Sequence, residues 1–427
     1  ATLWRRLLGV EKTVVEDVEI EEELDGTVSL VAHVRPTKRT ASRCGKCARR
    51  SGWYDRGEGR RRWRGLDFGE VMVFLEADAP RVDCPEHGVT VAAVPWARHA
   101  AGHTYGFDQQ VAWLATQASK TAITVLMRIA WRTVGAIITR YWAETAAAVD
   151  ALAGLRRIGV DEISYKKGHK YLTVVVDHDS GRLVWAAPGR DKATLGRFFD
   201  ALAESGETAG EDRCSLITHV SADGADWISG VVADCCPNAV RCADPFHIVK
   251  WATEALDEVR RQAWNTARGA VNQRRAGRAT GLAKDLKGAR WALWKNPEDL
   301  TVKQTTQLEW IVKTNPRLYR AYLLKEGLRT VFKLPLAEAT EALDRWLSWA
   351  RRCRLPAFVK LQRSIAKHRA SILAAIEHGL SNGRIESVNT KIRLITRIAF
   401  GFRSPEALIA LAMLNLGGHR PVLPGRS

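Results

Sequence analysis

The sequence predicts a multidomain α+β protein: an N-terminal metal-stapled β module, a three-helix segment, and a mixed α/β domain interrupted by an all-helical insertion. Three observations carry that prediction. The apolar period runs at two near the N-terminus, becomes helical over about 107 to 142, returns to two from Ile158, and turns helical again from Phe246. Two knuckles of metal-ligand residues stand within the first module. From Phe246 to about Ala370 strand signals vanish while seven tryptophans appear. The expected domains are 1–104, 105–150, 151–245, 246–378 and 379–427.

A chain of 427 residues buries its own cores over about two to four domains. Its formal net charge of +18 calls for a polyanionic partner. Nucleic acid stands ahead of membrane, because no basic amphipathic helix or lipid-modification signal is present. No apolar run approaches the roughly 20 residues that span a bilayer, and a basic-then-apolar signal segment is missing. A cytoplasmic protein with no membrane partner is expected. The eight cysteines are irregularly spaced, which excludes a secreted disulfide framework and leaves reduced thiols with one metal site.

Through about Arg35 the chain is acidic, and the alternating run from Thr27 to Val34 reads as a strand paired with Thr13 to Ile20. From Arg43 to Arg64 it becomes Arg-rich, with Trp53, Tyr54 and Trp63 interleaved, and a strand-like Val71 to Ala77 follows. Cys44 and Cys47 form C-x-x-C, and about 36 residues later Cys84 and His87 form C-x-x-H, a donor set that suits structural, tetrahedral Zn²⁺. Thiols in a small core are the plainer alternative. Cys214, Cys235, Cys236, Cys242 and Cys353 read as small buried apolar residues.

Between about Phe107 and Trp142 three short helices break near Ser119 and Trp131. They fit a helix-turn-helix whose reading helix begins near Arg132 and exposes Arg132, Thr133, Thr139 and Arg140, although the same pattern serves an ordinary three-helix packing unit. Arg60, Arg61, Arg62 and Arg64 are expected to touch phosphate, with side chains reaching the minor groove, where the bland reading is a solvated face.

From Ile158 a β-β-β-α-β-α-β order follows: strands Ile158 to Ser164, Tyr171 to Asp177 and Arg182 to Ala187, a helix Ala193 to Glu204, strand Ser215 to Ser221, helix Trp227 to Cys235, and strand Ala239 to Cys242. The tryptophans of the insertion are spaced for helical core packing, with base stacking as the sharper alternative. A helix from Arg384 to about Arg397 and an apolar helix from Pro405 to Leu416 close the chain. Asp161 and Asp223 lie at strand ends and Glu386 in the first turn of a helix. Three such carboxylates meeting at one sheet edge would suit hard divalent cations and phosphoryl transfer, while each alone reads equally as a cap or surface residue. Asp226 competes with Asp223, and strand alternation turns Glu162 away from Asp161.

Gly159-Val160-Asp161-Glu162, Ser221-Ala222-Asp223, Asp244-Pro245-Phe246-His247, Ser381 through Lys391 around Glu386, and Ala399-Phe400-Gly401-Phe402 resemble the signature segments of DDE transposases of the ISL-three insertion-sequence family. The resemblance covers about Ile158 to Leu416, and more weakly the N-terminal modules. It implies a ribonuclease-H-like catalytic domain with a helical insertion before the final Glu. It also implies Asp161, Asp223 and Glu386 as ligands of Mg²⁺ (or Mn²⁺), and Asp244 and His247 as accessory residues, although Asp244 also suits an N-cap. The expected partners are double-stranded DNA, as terminal inverted repeats and target, and a second copy of the chain in the active complex, in a nucleoid-associated bacterial protein. The expected reaction cuts at the element ends and joins the 3′ ends to target DNA. A nuclease of the same fold and a non-cutting DNA-binding regulator are the competing readings.

Overall fold

The computed structural model describes residues 2–22, 24–205, 212–271 and 283–425. The chain divides into two compact units, Ala1–Val149 with Ile395–Ser427, and Asp150–Leu394. The expected catalytic segment 379–427 is therefore divided between the two units. Its last stretch joins the N-terminal unit, because the apolar final helix finds its packing partner there.

In the first unit a short helix α1 (Thr2–Leu7) precedes the expected hairpin, β1 (Thr13–Glu22) against β2 (Val28–Pro36), antiparallel with a bulge between Val15 and Asp17. β3 (Gly52–Asp55), β4 (Arg60–Arg64), β5 (Met72–Asp78), β6 (Arg81–Cys84) and β7 (Gly88–Val91) follow. They sort into two sheets, β1-β2-β5-β4 and β3-β6-β7. Alternation explains β5, whose Val73, Leu75 and Ala77 are buried beside Ala32, Val34, Trp63 and Trp96. The Arg-rich segment is thus the edge strand β4, antiparallel to β5.

Three helices come next: α2 (Tyr105–Gln117), α3 (Lys120–Met127) and α4 (Trp131–Ala148). Thr104 and Ser119 cap α2 and α3 by accepting from the backbone N–H of Phe107 and Ala122. Arg128, at φ 53° in the left-handed region, ends α3. α3 and α4 meet at 102° across this three-residue turn, within the range of a helix-turn-helix. Among the described residues no single helix is long and apolar enough to cross a membrane.

The second unit is built on a five-stranded sheet: β8 (Arg157–Lys166), β9 (Lys170–Asp177), β10 (Leu183–Pro188), β11 (His219–Ala222) and β12 (Val240–Ala243), in the order β10-β9-β8-β11-β12. β8, β9 and β10 are antiparallel neighbours, while β11 runs parallel to both β8 and β12. α5 (Lys192–Glu204) and α6 (Asp226–Cys235) supply Leu195, Phe198, Phe199, Ile228 and Val232 to a core with Ile158, Val160, Val175 and Val220. The expected strand from Ser215 is shorter, starting at His219, because Asp212 ties residues 214 and 215 into a turn.

The insertion is helical as expected: α7 (Pro245–Val271), α8 (Arg290–Trp294), α9 (Val302–Thr314), α10 (Pro316–Val331), α11 (Leu336–Arg352), α12 (Pro356–Lys367) and α13 (Arg369–Glu377). Its expected continuation through 272–282 lies outside the described residues. The insertion has its own core, including Leu256, Leu293, Leu318, Leu343, Phe358 and Ile365. Trp346 is buried with its indole N–H donated to the Leu324 carbonyl at 2.7 Å, so it is a packing residue, whereas Trp291 is 57% exposed.

α14 (Gly383–Ile398) returns to the sheet, and α15 (Pro405–Leu416) packs on α4 and α2 in the first unit. α14 reaches β8 because position 159 has no side chain: a Cβ there would overlap Ile385, which is fully buried. Gly159→Val is therefore expected to push α14 off the sheet and to lower the stability of this unit by about 1–3 kcal/mol. Urea unfolding measures it, and an unchanged midpoint would show that the close approach is dispensable.

Candidate active site and metal centre

Strand register places the acidic residues. Ser221 pairs with Gly159 across the parallel β8–β11 ladder, and Ser221 pairs with Cys242 across β11–β12. Two residues beyond each of these positions stand Asp161, Asp223 and Asp244. All three thus occupy one row, Asp223 and Asp244 just past the carboxyl ends of their strands and Asp161 within β8, which runs on to pair with β9 alone. The parallel step between strands turns the row's side chains to a common face.

α14 lies over this row and is fixed at both ends of the stretch that crosses it. Asn382 accepts from the Ser221 hydroxyl at 2.6 Å, and His178 Nε2 lies 2.7 Å from the same hydroxyl, so the imidazole donates to it. One helical turn past Glu386, Asn389 donates from Nδ2 to Asp161 Oδ2 at 2.8 Å. Asn382, Glu386 and Asn389 follow the i, i+4, i+7 spacing of one helix face. Glu386 therefore stands on the stripe between two residues bonded to the sheet. Its carboxylate is half-buried and makes no hydrogen bond or ion pair among the described residues.

Asp244 is buried and its carboxylate is saturated. Oδ2 takes His247 Nδ1 at 2.6 Å, and Oδ1 takes the backbone N–H of Asn382 at 3.2 Å. It also accepts from the N–H groups of Phe246 and His247, so the N-cap alternative and the site role are one arrangement. Asp223 accepts from Ala225 N–H at 3.0 Å, and its carbonyl takes Arg241 at 2.6 Å. Burial lowers Arg241 to about 10. The side chain of Asp226, the competitor of Asp223, lies outside the described residues, while its backbone opens α6.

Burial raises the Asp161 carboxyl to about 6, and the charges of Asp223 and Asp244 push the same way, against the N–H of Glu162 and the charge of His247. Glu162 is raised to about 7, first by burial and then by Asp223 and Asp161. The row's charges are thus felt at Glu162. His247 is raised by its bond to Asp244. His178 is pushed down to about 4 by burial and by the guanidinium groups of Arg384 and Arg157, which keeps it neutral beneath the row.

The donor types in the row are those a hard divalent cation takes, but among the described residues no three of its acidic ligand atoms lie within 4.8 Å of one another as the thiol cluster's do. Carboxylate oxygens are the row's donors, and Asn389 Oδ1, next to Asp161, is a buried acceptor without a partner. Asn389, Asn382 and Arg241 were not singled out from the sequence. Asn389 was findable, standing one turn after Glu386 on its face, but the other two owe their roles to long-range packing.

In the first unit Cys44, Cys47, Cys84 and His87 come together, with ligand atoms all within 4.8 Å of one another. The Cys47–Cys84 sulfur separation is 3.7 Å, and Cys84 Sγ lies 3.7 Å from His87 Nδ1. A tetrahedron with bonds of about 2.3 Å has edges of about 3.8 Å, so the donors fit Zn²⁺ without rearrangement. The other cysteines are buried as expected except Cys235, which is partly exposed.

The expected DNA contacts divide. Arg132 is exposed and has no ion pair, and Thr133 is half-buried. Arg140 is not free on the surface as expected: its guanidinium binds both oxygens of Asp108, at 3.0 and 2.8 Å, because that buried carboxylate needs a counter-charge. Arg64 is likewise buried, bonded to Asp67 and to the Gly65 carbonyl. Arg62 bridges Glu21 and Glu76, Arg60 pairs with Glu76 at 2.8 Å, and Arg61 donates to the Ala101 carbonyl.

A zinc-stapled ribbon, a helix-turn-helix and a carboxylate row on a mixed sheet describe a DNA-processing class of protein, and comparison with known proteins agrees. The family profile described as Transposase matches residues 158–412. The zinc-finger of transposase IS204/IS1001/IS1096/IS1165 matches 40–87, and the helix-turn-helix domain of transposase family ISL3 matches 92–142. The chain belongs to the ISL3 transposase family. It is 63% identical over 440 residues to the transposase for insertion sequence element IS1557 of Mycobacterium tuberculosis, in strain H37Rv as in strain CDC 1551, covering 99% of this chain and 97% of that protein. It is 26% identical over 395 residues to the transposase for insertion sequence element IS1001 of Bordetella parapertussis, covering 92% of each.

Two outcomes are expected. Purified protein carries about one equivalent of zinc by elemental analysis, and Cys44→Ser with Cys84→Ser loses it together with the thermal stability of the ribbon. The carboxylate row gives the second. Asp161 and Glu162 have folded values raised above their unfolded ones of 3.8 and 4.5. Each therefore stabilises the fold less as pH rises from its unfolded value through about 6 or 7. Mg²⁺ should relieve that loss, so thermal melts should show a larger Mg²⁺-induced rise at pH 8 than at pH 5, and little in Asp161→Asn.

Proposed function

We propose that the chain is the transposase of an insertion sequence, which binds the terminal inverted repeats, cuts DNA at the element ends and joins the 3′ ends to target DNA. The observation that carries this reading is the register row of Asp161, Asp223 and Asp244 beneath the helix stripe bearing Glu386. The strand order, with three antiparallel strands followed by two parallel ones, supports a ribonuclease-H-like catalytic domain.

Asp161, Asp223 and Glu386 are the residues that would hold two Mg²⁺ or Mn²⁺ ions. When bound, such ions supply Lewis-acid polarisation and neutralise charge on the phosphodiester. The protein's own groups do the rest. Asn389 orients Asp161. Arg241 steadies the backbone at Asp223. The bond to Asp244 raises His247, favouring its protonated form beside the anionic row where a phosphate must enter. In cleavage, a water oxygen bonds to phosphorus as the bond to the 3′ oxygen breaks; the water's proton passes to solvent and the leaving 3′ oxygen takes one up, becoming a hydroxyl. In joining, that hydroxyl loses its proton to solvent and bonds to a target phosphorus as the target's own 3′ oxygen leaves and is protonated. Both are in-line displacements, so one site serves both by exchanging the nucleophile.

Zinc ribbon and helix-turn-helix bind the element ends, with Arg132 and Thr133 at the start of α4, the part of a reading helix that meets base edges. Arg60 and Arg62 contribute to phosphate contact only by exchanging partners within their sheet, and Arg61 only by leaving the Ala101 carbonyl. Two copies acting together would bring two ends to one target.

Asp161→Asn, Asp223→Asn and Glu386→Gln remove charge with little change in volume. Each is expected to reduce cleavage and strand transfer by at least about a hundredfold while duplex binding stays within about twofold. Gel assays on element-end DNA measure both. Hydrolysis without joining by the unaltered protein would identify a nuclease, and neither reaction a regulator.

A further inference from the structure

In the first unit a cavity of about 600 Å³ opens between α4 and the start of α15, and its lining is rich in cations: Lys120, Arg132, Arg140 and Arg403. Arg140 is already neutralised by Asp108. The other three have no ion pair among the described residues. Lys120, at the first position of α3, is 2% exposed. Its ammonium sits 4.1 Å from the centre of the Trp131 ring and 4.4 Å from that of Phe402. Rings stabilise a cation by their quadrupoles but bring no counter-charge. Burial accordingly lowers this lysine to about 8.

The other wall is the N-terminus of α15. Ser404 stands at its cap position without making a side-chain capping bond, and Pro405, which has no N–H, occupies the first helical position. The remaining N–H groups of the first turn point toward the N-terminal end, where a twelve-residue helix carries partial positive charge. Arg403 and Ser404 are both exposed at this edge. Glu406, the carboxylate among the lining residues, is exposed too and opposes an anion there.

We propose that this cavity is a binding site for one phosphate of the DNA backbone, held by Lys120, Arg403 and the first turn of α15, beside the α4 residues that face the bases. The inference rests on the helix-turn-helix binding DNA. It adds that the C-terminal segment, far from α4 in sequence, is part of the DNA-binding module. A buried ammonium without an anion at the floor of a cavity, a helix start left uncapped at its rim, and an unpaired guanidinium between them converge on a single bound oxyanion. The nearby Arg132 then reads bases from a helix clamped in register by its neighbouring phosphate.

The test uses the full-length protein and a fluorescent 40-base-pair duplex of arbitrary sequence, with affinity followed by anisotropy against salt concentration. Losing one phosphate contact makes the slope of log K against log salt shallower by about 0.9, or roughly eightfold weaker binding at 0.1 M salt. Lys120→Met and Arg403→Gln are each expected to show that change. The double variant should show it once and not twice, because both residues neutralise the same phosphate. Glu406→Gln should tighten binding. Arg403 is exposed, so Arg403→Gln keeps the test decisive if Lys120→Met fails to fold. Wild-type slopes in Arg403→Gln, or additive losses in the double variant, overturn the site while leaving the helix-turn-helix reading intact. Failure of the unaltered protein to bind duplex overturns both.

Discussion

Everything in the second unit answers to one electrostatic constraint: three acidic side chains are set in a row across adjacent parallel strands, partly out of water. Like charges so placed repel one another, and burial makes each more costly still. The structure meets the cost by local means. Asp244 is saturated with hydrogen bonds and shares its charge with His247. Asp161 is met by a backbone N–H and by Asn389, and its carboxyl is nevertheless raised to about 6. With the Asp161 carboxyl held near the pH at which it ionises, that residue is poised to exchange a proton for a cation. The neutral pair of His178 and Ser221 beneath it adds no charge of its own.

The first unit solves a different problem. Its ribbon is small and has few large apolar side chains, so four soft ligands brought within tetrahedral reach do what a core does elsewhere. The four-stranded sheet and the three helices, by contrast, are held by ordinary packing and by buried ion pairs such as that of Arg140 with Asp108. Those pairs consume positive charge that the composition alone suggests is free. The +18 balance of the chain is therefore a poor guide to which arginines meet an anion.

Much of this was legible in the sequence, and the failures have physical reasons. Periodicity placed the hairpin, the three helices, the order of the central strands and the two closing helices, because each buries one face with a regular repeat. The zinc ligands were legible because their chemistry is encoded in local spacing. Asp223 stands past a strand end as expected, whereas Asp161 stands inside β8, and that Asp244 joins their row depends on register between strands far apart in sequence. Strand alternation gives a face for Glu162 but not how far the row's charge is felt across a buried site. Arg140 was taken for a surface residue because periodicity cannot show that Asp108, across the helix pair, needs a counter-charge. The last segment joined the first unit for a similar reason: an apolar helix shows that it must be covered but not by what.

The bond from the Asn382 N–H to Asp244 joins residues 138 positions apart. The helical insertion therefore leaves the sheet and returns to it at nearly the same point. A chain excursion with pinned ends is thermodynamically tolerant of its own length, since loop closure entropy grows only with the logarithm of the number of residues. With its own core, the excursion can lengthen, shorten or be rebuilt over evolutionary time without displacing the carboxylates on either side. The geometry of the carboxylate row and the size of the protein are, at this junction, separately inheritable.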